Sequence, residues 1–349
     1  MKVMHVMAGA PTGGAENIFL EDVLALADGG LSQHVVTRAN NDFRLSALTE
    51  KGIGVTTASF NRYIQWPTKK AIEKAASDFA PDIIQYWMGR AGTYAISSDA
   101  ANVGWYGGYY KLKRFRNCEY HIGLTPDLIR HIVEQGVAPD KAALIHTYAE
   151  FPDVAPTSRA ELDTPEGAPV LLALARLHWK KGLDILLQSL VNVPGAYAWI
   201  AGDGPLKEKL EAQATDLGVD DRVRFLGWRD DRAALLAACD VCVFPSRYEP
   251  FGTVTVDAWA AEKPLVAAAA AGPKAFVVNE DNGMLVDIDD VDGLTAAINA
   301  VLNDQALRDK IVAGGTRDYQ AKFTKDVFIR DSLAFYERVL SETHSKAQT

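Results

Sequence analysis

Two carboxylates, Glu249 and Asp257, flank the string Pro250-Phe251-Gly252-Thr253-Val254-Thr255-Val256. The apolar run Val241–Phe244 ahead of them predicts a buried strand, and Gly252 opens a predicted helix over Thr253–Ala261. Glycine at that junction lets backbone approach a ligand closely. The unpaired N–H groups of Thr253, Val254 and Thr255 then form an anion site at the positive helix end. Glu249 precedes the helix and Asp257 lies just over one turn inside it, so each carboxylate can accept from the hydroxyls of a different polyol. Two isolated acids would be read as a loop acid and a solvated helix acid. The intact Glu-Pro-Phe-Gly string weakens that reading.

A second segment, Ala175-Arg176-Leu177-His178-Trp179-Lys180-Lys181-Gly182, agrees with the first. Arg176 lies just past the predicted strand Val170–Ala175, and Lys181 begins the helix Leu183–Val191. Both cations and the helix dipole can therefore converge on a diphosphate. His178 and Lys180 read as rim residues. Gly202-Asp203-Gly204-Pro205 follows the strand Ala198–Ala201, but it fails as a dinucleotide fingerprint because no third glycine follows and Pro205 begins the helix. Trp228, after Gly227, is either an aromatic platform for a base or an ordinary rim residue. Gly13-Gly14 lies between the first strand and the first helix, where a ligand loop and a generic tight turn are equally compatible. Arg90, Tyr106 and Tyr109 stand in two further strand-end loops.

These strings together resemble the family-4 retaining glycosyltransferases. That family carries Glu-x-Phe-Gly with a second acid after seven intervening residues, Arg-Leu-three residues-Lys-Gly, and a Gly-x-Gly-Pro turn. This chain departs from the pattern at Asp257, where the family has glutamate. The resemblance implies a metal-independent GT-B enzyme without a cofactor, in which two Rossmann-like parallel-sheet domains face each other across a cleft and the C-terminal helix returns to the N-terminal domain. It assigns catalysis to Glu249, Arg176 and Lys181. Donor contacts would come from Gly13, Gly14, Gly202, Gly204, Gly227, Trp228, Phe251, Gly252, Thr253, Val254 and Asp257. Arg90, Tyr106 and Tyr109 are placed on the acceptor side. The implied partners are a nucleotide-diphosphate sugar and a glycan or glycolipid acceptor, in a bacterial cell-surface polysaccharide or lipopolysaccharide branch. A nucleotide-sugar epimerase or hydrolase on the same fold, and a non-enzymatic nucleotide-sugar-binding protein, remain as alternatives.

The elements that must position these residues follow from periodicity. Short apolar runs alternate with helix-period segments, which predicts parallel α/β sheets. The first half yields strands Lys2–Met7, His34–Thr37, Gly54–Ala58, Asp82–Tyr86, Asn102–Trp105, Tyr120–Gly123 and Ala142–Ile145. The proline-bearing stretch 151–169 reads as a linker. After it come strands Val170–Ala175, Ala198–Ala201, Val223–Leu226, Val241–Phe244, Leu265–Ala269 and Met284–Val286. The helices read there are Leu183–Val191, Leu206–Leu217, Arg232–Cys239, Thr253–Ala261, Gly293–Leu302 and Asp326–Leu340. The domain assignment is 1–155 on the acceptor side, 165–322 for the donor, and 323–349 for a C-terminal helix and tail.

At 349 residues, 48% hydrophobic and 23% charged, the chain supports two packed cores. A net charge of -9 argues against nucleic acid as a partner. The three cysteines, Cys118, Cys239 and Cys242, suggest a reducing compartment, hence a cytoplasmic protein. Cys239 and Cys242 read as small core residues rather than a redox pair. Lys111, Lys113, Arg114 and Arg116, interleaved with Tyr110 and Phe115, form either a solvated basic face or a contact with the inner membrane surface or a phosphorylated acceptor. Asp287-Ile288-Asp289 resembles the metal motif of another glycosyltransferase fold, but its late position favours helix capping and no metal. Turnover is therefore expected to survive EDTA. Complete loss, restored by manganese or magnesium, would refute the metal-free reading.

Overall fold

A computed structural model of the chain describes residues 1–347, with side chains to Thr343. It consists of two compact units, Met1–Tyr148 with the segment from Lys325 onward, and Ala149–Thr324. The first holds β1 (Lys2–Met7), β2 (Ser32–Thr37), β3 (Gly54–Thr57), β4 (Ile83–Trp87), β5 (Ala101–Tyr106), β6 (Tyr120–Gly123) and β7 (Ala142–Leu144). They form one sheet in the order β3-β2-β1-β4-β5-β6-β7, parallel throughout. The second unit holds β8 (Val170–Leu174), β9 (Tyr197–Ala201), β10 (Val223–Gly227), β11 (Val241–Phe244), β12 (Leu265–Ala268) and β13 (Met284–Val286). Their order is β10-β9-β8-β11-β12-β13, again all parallel. The expectation of two Rossmann-like parallel sheets is met. Every predicted strand is present, with ends shifted by at most two residues.

Both sheets are doubly wound. Chain order reverses between β1 and β4 in the first and between β8 and β11 in the second, and ligands of such sheets bind beyond the carboxyl ends of the strands at that reversal. The near-continuous apolar runs of β8 and β11 suit strands covered by helices on both faces. Leu171, Ala173, Val241 and Val243 join Leu186, Leu187, Leu190 and Ile298 in one buried cluster. Helix Lys325–Ala347 packs on the first unit, where the Tyr336 hydroxyl donates to Gln85 Oε1 at 2.7 Å and Lys325 pairs with Asp28 at 2.6 Å.

The structure corrects two readings. The stretch 151–169 is fastened along the second unit and is no free linker. Arg159 donates to the Ala168 and Ala238 carbonyls and pairs with Asp240 at 3.0 Å, while Trp199 Nε1 donates to Thr164 Oγ1 at 2.9 Å. Helices Ala271–Phe276 and Gln305–Lys322 were also not anticipated. The latter buries Gly314 and Gly315 instead of an apolar stripe, so its sequence lacks the usual amphipathic signal. These glycines admit neighbours that a side chain would exclude. An ideal Cβ on Gly314 would lie 2.0 Å from the Asp281 carbonyl oxygen, and one on Gly315 2.3 Å from the Trp259 ring.

Gly314→Ala separates propensity from packing. Alanine regains up to about 1 kcal/mol of helix propensity, whereas forcing a methyl against backbone costs about 1–3 kcal/mol. The expected outcome in a urea titration is a lowered midpoint with unchanged slope. A raised midpoint would show that propensity governs this helix.

Candidate functional site

The candidate site gathers at the carboxyl ends of β8, β9 and β11. Arg176 follows β8 in a loop bound to the turn after β9: Leu177 N–H donates to the Asp203 carbonyl at 2.9 Å, and Leu206 N–H donates to the Leu177 carbonyl at 3.1 Å. Ideal Cβ atoms on Gly202 and Gly204 would stand 2.0 Å from the Ala175 oxygen and 2.4 Å from the Leu177 oxygen. Both glycines are therefore needed for one loop to lie on the other, which fixes where Arg176 emerges. The Arg176 guanidinium is exposed and forms no ion pair among the described residues. Gly202 N–H donates to the Gly227 carbonyl at 2.7 Å, and Gly227 turns at φ +67°. Trp228 beside it is 55% exposed, its indole N–H held by Asp230 at 2.8 Å.

The loop after β11 is stitched to the turn Trp179–Lys181. Arg247 and Tyr248 N–H both donate to the Lys180 carbonyl, at 2.8 and 3.2 Å. Gly182 sits at φ +63° with its missing side chain against the Pro245 carbonyl, so this crossing requires glycine. His178 also caps the turn, its Nδ1 accepting from Lys180 N–H at 3.2 Å. Lys180 lies over the Tyr248 ring at 4.1 Å. Arg247 holds the assembly with a bidentate fork to Asp184, 2.7 Å on each arm, and a 2.5 Å bond from Nε to Asp289. Those bonds, the Asp184 pair foremost, push its pKa up. Lys181 and Glu249 meet as an ion pair at the centre, and Gly272 N–H holds the Glu249 carbonyl at 2.7 Å.

Helix Thr253–Ala260 starts from Gly252 at φ +89°. The N–H groups of Thr253 and Val254 make no hydrogen bond among the described residues, while Thr255 N–H turns back to the Gly252 carbonyl. Two of the predicted donor contacts, Phe251 and Asp257, have buried side chains. Phe251 is 4% exposed and its ring packs on Phe276 and Phe323, so it anchors the loop from below and offers a ligand only backbone. Asp257 is interior at 4% exposure and faces Arg232 at 3.9 Å. Asp289 is also corrected, because it pairs with Arg247 while Asp290 caps the next helix by accepting from Gly293 N–H.

The remaining candidates lie in the first unit. Gly13 precedes helix Gly14–Asp28, and its missing side chain leaves room for Glu16, which accepts from Ala10 N–H at 2.7 Å. Gly14 faces open space. Tyr106 is corrected: it is fully buried at the end of β5, stacked on Phe115 at 4.3 Å, and belongs to the core. Tyr109 is half-buried and donates to Asp127. Phe115 is fully buried too, while Lys111, Lys113, Arg114 and Arg116 around it are exposed. All three cysteines are free and buried. Arg247, Asp184 and Gly272 were missed because their partners are distant in sequence. The one signal was an arginine, Arg247, inside the Ser246–Asp257 string.

A model of the family "Glycosyl transferases group 1" matches residues 154–318. The lipopolysaccharide core biosynthesis glycosyltransferases LpsD and LpsE of Rhizobium meliloti are each 32% identical to this chain. LpsD aligns over 97% of this chain and 98% of its own length, LpsE over 93% and 96%. Anabaena Alr3699/HepE, solved in complex with UDP and glucose, superposes with a TM-score of 0.82 over 97% of this chain and all of that one, at 22% identity. WaaG, a glycosyltransferase involved in lipopolysaccharide biosynthesis, does so at 0.72 over 95% and 98%, at 16% identity. The fold is accordingly GT-B. No described helix is long and apolar enough to cross a membrane.

Arg247→Lys keeps the charge but loses the planar fork. It is expected to lower unfolding free energy by about 1–3 kcal/mol, the scale for hydrogen bonds to a charged group. Unchanged stability in calorimetry would mean that the three loops are held by other contacts.

Proposed function

We propose that this chain, which belongs to the group 1 glycosyl transferases, moves a sugar from a nucleotide-diphosphate donor to an acceptor hydroxyl with retention at the anomeric carbon. The observation that carries this is that the loops after β8 and β11 hold the Arg176 guanidinium, which has no ion pair among the described residues, the Lys181–Glu249 pair, and first-turn N–H groups of Thr253 and Val254 without a hydrogen bond among the described residues. These donors suit a diphosphate, and Glu249 suits the hydroxyls of the sugar attached to it. Without a donor, Lys181 is neutralised by Glu249. A diphosphate offers that ammonium a second anion and leaves Glu249 to accept from the sugar.

Reaction then needs stabilisation of the departing charge more than a protein base. Arg176, Lys181 and the helix terminus stay fixed while negative charge grows on the leaving diphosphate, the arrangement that lowers a barrier most effectively. The acceptor oxygen attacks on the face that the diphosphate leaves, and its proton passes to a donor phosphate oxygen. The likeness to LpsD and LpsE over nearly the whole chain supports an acceptor in the lipopolysaccharide core or a related envelope glycan. We place the enzyme in the cytoplasm, meeting its acceptor at the inner face of the membrane.

A thermal-shift screen of nucleotide sugars should find the donor, because binding to the folded state raises stability by mass action. With that donor, Arg176→Ala and Lys181→Ala are each expected to lower turnover on the order of a hundredfold or more. Near-normal turnover in both purified variants would sink the diphosphate assignment.

A further inference from the structure

The loops at the carboxyl ends of β1 to β4 contain an arrangement that the donor site does not use. Arg38 follows β2 and Arg90 follows β4. Both guanidiniums donate to the Phe60 carbonyl, at 3.0 and 3.1 Å, and Arg38 also reaches the Gly9 carbonyl at 3.4 Å. Neither forms an ion pair among the described residues, and each sits in the field of the other. Two like charges sharing one neutral oxygen are uncompensated, whereas Arg44 nearby has the charge of Glu16 close to it.

Unmet hydrogen-bonding capacity concentrates at the same place. Of the ten buried side-chain polar atoms without a partner among the described residues, four fall between positions 37 and 44: Thr37 Oγ1, Arg38 Nε, Asn40 Oδ1 and Arg44 Nη1. Thr37 is fully buried and Arg44 is 3% exposed. Buried polar atoms are nearly always paired, so such a cluster calls for a partner that is not protein. Arg38, Asn40, Thr57 and Ser59 also line a cavity of about 400 Å³.

The backbone around these groups is held in costly conformations. Phe60 at φ +49° and Met88 at φ +64° both occupy the left-handed region without being glycine. Phe60 is kept there by Thr68 Oγ1 on its N–H and by the Tyr94 hydroxyl on the Asn61 carbonyl. That strain turns the Phe60 carbonyl toward both arginines, while Met88 turns the chain out of β4 just ahead of Arg90. Strained residues persist where surrounding structure enforces them, and they gather at ligand sites. The cavity lies past the carboxyl ends of β2 and β3, on the side where doubly wound sheets bind ligands, and Arg90 follows β4 at the β1/β4 reversal.

The chemistry of the free groups describes the occupant. Two unpaired guanidiniums ask for a carboxylate or a phosphate, which guanidinium forks bind bidentately. Asn40 Oδ1, an acceptor, asks for a hydroxyl. We infer that this cavity and the arginine pair at its side bind an anionic saccharide, one bearing a carboxylate or phosphate beside free hydroxyls; its cations are Arg38, which lines the cavity, and Arg90, which shares the Phe60 carbonyl with Arg38. Calling that saccharide the acceptor rests on the glycosyl-transfer reading above. The enzyme then selects acidic acceptors, and the selection is made in the first unit, independently of the donor pocket.

The test uses the purified full chain with glucuronate, glucose 6-phosphate and glucose as probes in saturation-transfer NMR, alongside nucleotide titration by calorimetry. Both acidic probes are expected to bind and glucose is not, and whichever acid binds more tightly identifies carboxylate or phosphate. Arg90→Gln should weaken acid binding about tenfold or more, the scale of one lost charge-assisted bond, with nucleotide affinity unchanged. Arg90→Lys should restore part of the loss. Arg90 is exposed, so these variants disturb folding less than changes at Arg38 would. Equal binding of glucose and glucuronate, or unchanged acid affinity in Arg90→Gln, overturns the inference. Acid binding in a protein that binds no nucleotide would support this site while removing the donor reading.

Discussion

Arg247 ties three loops of the second unit to one guanidinium. Its side chain is 8% exposed, and a charge so enclosed requires close anions. Asp184 supplies two parallel bonds from the start of helix Leu183–Leu190, and Asp289 supplies a third from the loop after β13. The backbone of Arg247 meanwhile binds the Lys180 carbonyl, so the residues on either side of the Lys181–Glu249 pair are fixed before any ligand arrives. Electrostatic catalysis depends on that order of events, since donors placed in advance need no reorganisation when charge develops.

The fork has a consequence for how the remaining charges are distributed. Arg247, surrounded by carboxylates, is electrically spent and serves position alone. Among the described residues Arg176 has no such partner and Lys181 has a single one, leaving positive charge exposed at the β8/β11 reversal. Glycines shape the same region from below. At 182, 202, 204 and 272, a side chain would run into backbone carbonyls of neighbouring loops. The site is thus built from loops that touch through their main chains, and those contacts leave little freedom in where its side chains emerge.

The first unit repeats the architecture with a different balance. Its Gly9–Gly13 loop is held by side chains: Asn40 and Asn41 reach the Gly9 and Pro11 carbonyls, and Arg44 reaches those of Ala10 and Pro11. Positive charge there is grouped around Arg38 and Arg90 instead of being neutralised. The same sheet topology therefore offers two strand-end regions with exposed cations, the ones we propose for a diphosphate and for an acidic sugar.

Local patterning was enough to define both sheets and most helices, because strand and helix periodicity is written in neighbouring residues. The strings around Arg176 and Glu249 were legible for the same reason, since their spacing is set within single loops. Helix Gln305–Lys322 was not legible, because its packing depends on Gly314 and Gly315 fitting against Asp281 and Trp259, residues a stretch of chain away. Sequence likewise placed Tyr106, Phe251 and Asp257 near chemistry, and only the tertiary structure shows that their side chains are buried. A residue's position in a loop follows from the chain around it, but the face it presents depends on what packs against that loop. The Arg247 fork and the Arg38–Arg90 pair are of that second kind, formed by groups that meet only when separate strand ends are brought together.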